Sequence, residues 1–399
     1  MGRRLFLILS ATLVSTLMIT GCPAEMDEPV DNPGPPSNVA VYLRTWPIPT
    51  AAREGGSPYW RASMIKGEYL SDIIIAFALI DKTDGYSLYI PEVRNGSFAH
   101  IWNEVAALKA HYAHLKAHIS VGGGGADGFS DMANDPALRA GFVAGVCDWL
   151  ENYNLDGIDI DWEYPVGPSW GQSIKSRPED RQNYISLLQD LRDALDALGE
   201  ETGKRYILSS AVPASSWFIT ANDVRAAAGI VDRLKIMAYD YYGSWSSRTG
   251  HHANLYTNSR DSSRWSTDYA VSAYVRAGVP PEKIMLGAAF YGHVWRGVKE
   301  GNYPATPGLY QAGTSAGSIS WTDIKAYLKS GSGYTRYWDS TAKAPFLYNG
   351  DRWISYTDHE QIRALTGYAQ DKQLGGVFVW EYGHDMAADL LKTLAENSP

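Results

Sequence analysis

The sequence predicts an α/β protein, a (β/α)8 TIM barrel with a small α+β subdomain inserted after the seventh strand. Short apolar runs alternate with amphipathic helical patterns along the chain. Eight such units can be counted, and 399 residues are enough for a barrel with additions. Apolar strands that are separated by helices pair in parallel, so the eight strands are expected to close on themselves.

The predicted barrel elements follow from hydrophobic periodicity. The strand-like runs are apolar over a few residues, at 39–43, 73–79, 118–121, 157–161, 206–212, 233–239, 284–290 and 376–380. Between or after these runs, apolar residues recur with the spacing of an α-helix, which predicts helices at 99–115, 136–153, 178–198, 221–228, 267–277, 358–369 and 386–396. In a barrel of this kind the active site lies at the carboxyl ends of the strands.

Two intervals are too long for simple connections. Residues 241–264 form a polar, aromatic stretch, and residues 293–355 form a longer one with short alternating runs. Long intervals with their own periodicity indicate inserted structure. We therefore predict a barrel domain at 38–399 and an α+β insertion within it at 293–355.

The first residues are typical of a secretory signal. Two arginines precede an apolar run at 5–19, which is too short for a confident spanning helix. The run ends in Gly21-Cys22, which resembles a bacterial lipobox and implies a signal peptide at 1–21 with a lipid attached to Cys22. Residues 22–37 are rich in Pro and acids and predict a tether. The expected protein is exported and anchored to the cell envelope, at the outer membrane or cell surface; ordinary cleavage beside an incidental cysteine is the alternative.

Composition narrows the partners. The 14 Trp and 26 Tyr favour a carbohydrate substrate, because sugar rings present C–H faces that stack on aromatic side chains; a large core is the alternative. A net charge of −9 argues against nucleic acid, which requires a basic surface. The second cysteine, Cys147, has no partner if Cys22 is acylated, so we expect no disulfide bonds. The protein is also expected to be a monomer.

A file of acids ends the fourth predicted strand. Side chains alternate along a strand, so Asp159, Asp161 and Glu163 point to one face, roughly 7 Å apart in succession. Like charges at this range, partly removed from water, cannot all stay ionised near neutral pH. At least one pKa should rise, and a protonated carboxyl group can act as a proton donor.

In these acids and in four further motifs the chain resembles glycoside hydrolase family 18, the chitinases and their relatives. The motifs are Asp156-x-x-Asp159-x-Asp161-x-Glu163, Ser120-x-Gly122-Gly123, Met237-Ala238-Tyr239-Asp240, Phe290-Tyr291-Gly292 and the run from Gly375 to Glu381. Their order along the chain also matches the family.

The resemblance implies a retaining, substrate-assisted reaction that needs no cofactor or metal. Glu163 would donate a proton to the glycosidic oxygen, and the 2-acetamido oxygen of the substrate would attack the anomeric carbon. Asp161 would hydrogen-bond the acetamido N–H and raise the pKa of Glu163, while Asp159 would share a proton with Asp161. Tyr239 would orient the acetamido oxygen. Asp156 lies off this face and is expected to make a structural hydrogen bond.

The resemblance also implies a substrate-binding set around these groups. Trp380 would form the floor under the reacting sugar, and Tyr42 and Ser120 would be hydrogen-bond partners of Asp159. The remaining members are Met237 and Phe77 as pocket lining and Asp240, Tyr291 and Trp245 as substrate contacts. Gly124 and His293 replace a Trp and an Arg that the family often has, which leaves the preferred substrate length open.

Three functions stay in view. The first is hydrolysis of β-1,4 bonds in chitin or chitooligosaccharides, which the insertion at 293–355 favours because it should wall a long cleft. The second is an endo-β-N-acetylglucosaminidase that acts on N-glycans, and the third is a glycan-binding surface protein without turnover. A metal site at the acids is disfavoured, because no histidine accompanies them in the motif.

Overall fold

The computed structural model describes residues 38–49, 57–167 and 174–399. The predicted signal peptide, Cys22 and the tether lie outside the described residues, and the lipid anchor stays a prediction. Within the described ranges, no helix combines the length and the apolar character that crossing a membrane requires.

Fourteen strands are present in the described chain. In order they are β1 (Val39–Arg44), β2 (Asp72–Asp81), β3 (Ser87–Tyr89), β4 (Lys116–Gly122), β5 (Gly157–Asp161), β6 (Ile207–Pro213), β7 (Arg233–Met237), β8 (Ile284–Ala289), β9 (Tyr291–Arg296), β10 (Thr314–Ser320), β11 (Thr335–Asp339), β12 (Ala344–Tyr348), β13 (Trp353–Ser355) and β14 (Gly376–Trp380). Eight of them pair in parallel in the order β1-β14-β8-β7-β6-β5-β4-β2, and β1 also pairs with β2. This closes the sheet, and the predicted (β/α)8 barrel is confirmed.

Helices cover the outside of the barrel. They are α1 (Pro91–Arg94), α2 (Ile101–His111), α3 (Phe129–Asn134), α4 (Pro136–Asn152), α5 (Asp180–Thr202), α6 (Ser216–Ala221), α7 (Val224–Ile230), α8 (Thr267–Arg276), α9 (Trp321–Tyr327), α10 (His359–Asp371) and α11 (Asp389–Asn397). Local sequence fixes several starts: the Asp135 side chain accepts hydrogen bonds from two amides of α4, whose first residue is Pro136. Asp358 caps α10 in the same way.

Several element boundaries differ from the sequence predictions, and two of the differences show why. The sixth barrel strand was expected to reach residue 239 but ends at Met237, and Asp240 has a φ of 61° in the turn that follows. The predicted helix at 221–228 is wrong as one element, because the Asp223 side chain caps a new helix, α7, after α6 has ended. The hairpin strand β3 and the short helices α1 and α3 were not predicted.

The extra subdomain after the seventh barrel strand is present. Strands β9 to β13 form an antiparallel sheet in the order β10-β9-β13-β12-β11, and α9 follows β10. The sheet is built around fully buried aromatic residues such as Trp295, Phe346 and Trp353. Its first strand begins at Tyr291, two residues before the predicted start at 293, because β8 continues almost directly into β9.

Candidate active site

Asp159 lies inside the barrel, and each of its two carboxylate oxygens accepts two hydrogen bonds. Its Oδ2 accepts hydrogen bonds from the hydroxyls of Tyr42 (2.7 Å) and Ser120 (2.8 Å). Its Oδ1 accepts from Ser209 Oγ (2.7 Å) and from Lys235 Nζ (3.0 Å). The carboxylate is therefore held by three neutral donors and one cation, out of contact with solvent.

These donors fix the ionisation of Asp159. Burial acts to raise the pKa of its carboxyl group, but the Lys235 charge and the three hydroxyl hydrogen bonds outweigh burial, so the pKa lies below its ordinary value. Asp159 therefore stays an anion at neutral pH. The proton sharing between Asp159 and Asp161 that the resemblance implies stays a prediction.

Asp161 is in the opposite electrostatic situation. It is 4% exposed, and its Oδ1 has no hydrogen-bond partner among the described residues. Burial, followed by repulsion from Glu163 and from Asp159, raises the pKa of Asp161 well above its ordinary value. Of the two buried carboxyl groups, Asp161 therefore holds a proton more readily than Asp159 does.

Glycines shape the wall beside the acids. Gly122 has a φ of +119°, and a Cβ there would lie 2.0 Å from the Asp161 carbonyl oxygen, so a side chain is excluded. A Cβ on Gly124 would lie 3.6 Å from Glu163 Oε1. Gly124, which stands where the family often has Trp, therefore borders Glu163 directly and leaves this side of the cleft open.

The cleft has a volume of about 860 Å³ and an aromatic floor. The Trp380 ring stacks on Phe77 with centroids 5.6 Å apart and an interplanar angle of 20°. Trp46, on the loop after β1, completes a triangle of rings with this pair, with its centroid 6.1 Å from that of Phe77 and 6.2 Å from that of Trp380. Such flat faces are suited to the C–H faces of sugar rings.

Tyr239 and Asp240 stand at the end of β7. Burial and the nearby Asp161 and Asp240 charges raise the pKa of Tyr239 well above its ordinary value, so its hydroxyl group stays a donor. Asp240 Oδ1 accepts hydrogen bonds from Tyr291 (2.7 Å) and from His293 Nε2 (2.8 Å). Burial opposes ionisation of Asp240, but the neighbouring imidazoles outweigh it and lower its pKa.

The structure brings most of the predicted residues to one cleft. Its lining includes Tyr42, Phe77, Asp161, Glu163, Met237, Tyr239, Asp240, Trp245 and Trp380. Tyr42 and Ser120 donate hydrogen bonds to Asp159, as the sequence analysis expected. Tyr291 was expected to contact substrate, but it is buried and reaches the site through its hydrogen bond to Asp240.

Sequence reasoning missed three residues of the site. They are Lys235, Ser209 and Trp46. Lys235 left a signal, since a lysine between Leu234 and Ile236 in an apolar strand needs a buried partner. Asp156 has the structural role expected for it, because its Oδ2 accepts hydrogen bonds from Lys109 Nζ (2.5 Å) and the Ala117 amide (2.8 Å).

An Asp161→Asn variant should be more stable than the natural chain at neutral pH, by roughly 1 kcal/mol or more. A carboxyl group whose folded pKa is raised contributes stability below its unfolded pKa of about 3.9 and loses it as the pH rises through the folded pKa. Asn does not ionise and escapes this loss. Urea unfolding at about pH 4 and about pH 8 measures the difference, which should appear only at the higher pH.

Asp156→Asn is the matched control for this prediction. It removes a carboxylate from the same segment, but one that is paired with Lys109, so no gain at the higher pH is expected. An Asp161→Asn chain that is equally or less stable at the higher pH contradicts the raised pKa.

Comparison with known proteins places this geometry in a family. The family profile described as "Glycosyl hydrolases family 18" matches residues 38–385. The chain is 38% identical to "Chitinase A1" of Niallia circulans over 311 residues, which is 74% of this chain but 44% of that protein. It is 32% identical to "Probable chitinase 2" of Drosophila melanogaster over 372 residues, which is 87% of this chain and 72% of that protein.

A solved structure agrees over nearly its whole length. It is described as a "novel glycoside hydrolase family 18 N-acetylglucosaminidase from Paenibacillus barengoltzii", with 34% identity and a TM-score of 0.78, over 90% of this chain and 99% of that one. "Chitinase ChiA74 from Bacillus thuringiensis" has a TM-score of 0.81 at 28% identity, over 91% of this chain and 70% of that one. The fold is thus shared with known hydrolases, and the chain belongs to glycosyl hydrolases family 18.

Proposed function

We propose that this protein hydrolyses β-1,4 bonds between N-acetylglucosamine units in chitin or chitooligosaccharides, with retention at the anomeric carbon. One observation carries the proposal: three hydroxyl groups and Lys235 hold the Asp159 carboxylate, while the neighbouring Asp161 has an Oδ1 without a hydrogen-bond partner among the described residues and lines the cleft together with Glu163. A carboxyl group that keeps a proton at neutral pH and faces a cleft is suited to general acid catalysis.

The positions of the groups support the roles that the family resemblance implies. Glu163 lines the cleft and protonates the leaving glycosidic oxygen. Asp161 lies behind it, where its unpartnered Oδ1 can accept the acetamido N–H of the sugar as that group turns toward the anomeric carbon. Tyr239 stays protonated and donates to the acetamido oxygen, which holds it in line for attack.

The nucleophile in this scheme belongs to the substrate. Among the described residues the cleft carboxylates are Glu92, Asp161, Glu163 and Asp240. Glu92 accepts a hydrogen bond from Thr45, and Asp240 is engaged by Tyr291 and His293. The 2-acetamido oxygen supplies the attack, as in the substrate-assisted glycosidases.

The aromatic floor and the inserted subdomain support a chain of sugars as the substrate. The relatives described as chitinases and the structural relative described as an N-acetylglucosaminidase differ in the product that their names imply. Gly124 leaves the side of the cleft next to Glu163 open. We propose chitooligosaccharide cleavage as the activity and treat release of single N-acetylglucosamine units as the second candidate.

Product analysis tests the proposal. The purified chain is incubated with chitotetraose, with chitohexaose and, separately, with a high-mannose glycoprotein. We expect cleavage of the oligosaccharides with initial formation of the β anomer. Chitobiose as the first product supports the chitinase-type reaction, and N-acetylglucosamine as the first product supports the second candidate. Cleavage of the glycoprotein alone, or binding without any cleavage, overturns the proposal.

A further inference from the structure

We propose that Asp240, His252 and His293 form a binding site for a late first-row divalent cation such as Zn²⁺, on the wall of the cleft beside Tyr239. The three residues offer one carboxylate oxygen and two imidazole nitrogens, all within 4.8 Å of one another. One carboxylate and two histidines are a donor set that Zn²⁺ accepts, with the fourth position left open in catalytic-type sites. The hydrolysis proposed above does not use such an ion.

The distances suit one ion after a small adjustment. Asp240 Oδ1 is 2.8 Å from His293 Nε2 and 3.9 Å from His252 Nδ1. Ligand atoms about 2.0–2.2 Å from a tetrahedral Zn²⁺ lie roughly 3.4 Å from each other. The first pair must open and the second must close by about half an ångström. The two imidazole nitrogens lie within 4.8 Å of each other and must close by up to about 1.4 Å, which rotations of the side chains supply.

His252 provides an independent reason to expect a ligand. The residue is fully buried, yet neither of its ring nitrogens has a hydrogen-bond partner among the described residues. The separation of 3.9 Å from Asp240 is too long for a hydrogen bond. A buried polar atom without a partner is costly, and a cation at this position would satisfy Nδ1.

The surroundings hold the three donors in place. His293 lies on β9, between its sheet neighbours β10 and β13. The His252 amide donates to Ser355 Oγ on β13 at 2.9 Å, so both histidines are fixed to the same sheet. Tyr291 donates to the Asp240 carboxylate at 2.7 Å, which is the kind of outer hydrogen bond that orients a metal-binding carboxylate.

An ion at this site would reach it from the cleft. The Asp240 side chain is 35% exposed and lines the cleft, while the two imidazoles lie behind it. Trp245, another cleft residue, packs its ring 5.8 Å from that of His293. A bound cation would engage Asp240 and withdraw it from a sugar, so the ion should inhibit by competing with substrate.

Direct binding is the test. Titration calorimetry of the purified full-length chain with ZnCl₂, in a metal-free and non-chelating buffer, should show saturable binding of one ion per chain. His252→Ala and His293→Gln should each weaken this binding at least about tenfold. His111→Ala, which removes a histidine from α2 outside the cluster, should leave it unchanged.

The result that overturns the site is absence of saturable Zn²⁺ binding, or binding that survives unchanged in both cluster variants. Two variants are used so that a fold defect in one does not decide the outcome, and thermal unfolding without zinc identifies such a defect. The inhibition rests on the proposed function and is measured separately, as a rise in KM for chitotetraose with added ZnCl₂. Failure of chitotetraose cleavage would remove that readout and leave the binding result standing.

Discussion

A Glu163→Gln variant should bind chitooligosaccharides about as well as the natural chain and hydrolyse them about 100- to 10,000-fold more slowly, which is the range that general acid catalysis supplies. Gln keeps the shape of Glu163 and its place on the cleft wall, but it has no acidic proton for the glycosidic oxygen. The loss should therefore appear in kcat, measured with chitotetraose, while binding measured by calorimetry is retained.

Comparing two substrates that differ in the basicity of the leaving group makes this prediction more specific. A 4-nitrophenyl glycoside releases a weakly basic phenolate that needs little protonation, so the variant should lose less activity on it than on chitotetraose. Glu92→Gln is the matched control, because Glu92 is another cleft carboxylate and its change should lower kcat less than about tenfold. Equal losses on both substrates, or a Glu163→Gln variant within tenfold of the natural chain, would show that the proton comes from another group.

The part of the site that lies in short sequence motifs at strand ends could be predicted from the sequence. Asp161, Glu163 and Tyr239 stand at the ends of barrel strands whose periodicity is plain, and the barrel brings strand ends together. Strand β5 and strand β14 have the predicted bounds, since each is a run of alternating or continuous apolar residues. Regular hydrophobic periodicity thus placed the main cleft residues.

Residues that act through contacts between distant strands were harder to predict. Lys235 and Asp159 are 76 positions apart and meet only because β5, β6 and β7 are neighbours in the sheet. Trp46 lies on a loop after β1, and no periodicity indicates where a loop side chain points. The imidazole of His252 is placed by the hydrogen bond of its amide to Ser355, 103 residues away.

Lys235 has the largest predicted effect on stability. A Lys235→Met variant should lose about 3–5 kcal/mol of unfolding free energy at neutral pH, because removing one partner leaves a buried charge uncompensated. Both side chains of the pair are essentially inaccessible, with 2% exposure for Lys235 and none for Asp159. Met occupies a similar volume, so the loss should reflect the charge and not a cavity.

The pH dependence distinguishes this cause from poor packing. The lowered pKa of Asp159 contributes stability above its unfolded value of about 3.9, and that stability is lost as the pH falls through the folded pKa. Without Lys235 this contribution shrinks, so the deficit of the variant should be large at about pH 7 and smaller at acidic pH. Guanidinium unfolding at several pH values measures this loss of unfolding free energy.

Lys283→Met is the control. Lys283 donates hydrogen bonds to two backbone carbonyls, so the loss of stability in this variant should not vary with the charge of Asp159.

The Lys235→Met variant should also alter catalysis, because it changes the affinity of Asp159 for a proton. With Lys235 gone, Asp159 gains affinity for a proton and competes for it with the neighbouring Asp161. We expect kcat to fall and the alkaline limb of its pH profile to shift. Lys235→Met combined with Asp159→Asn should recover part of the lost stability, because the buried charge is then absent. A double variant no more stable than Lys235→Met alone, together with an unshifted pH profile, would show that Lys235 only fills space in the barrel.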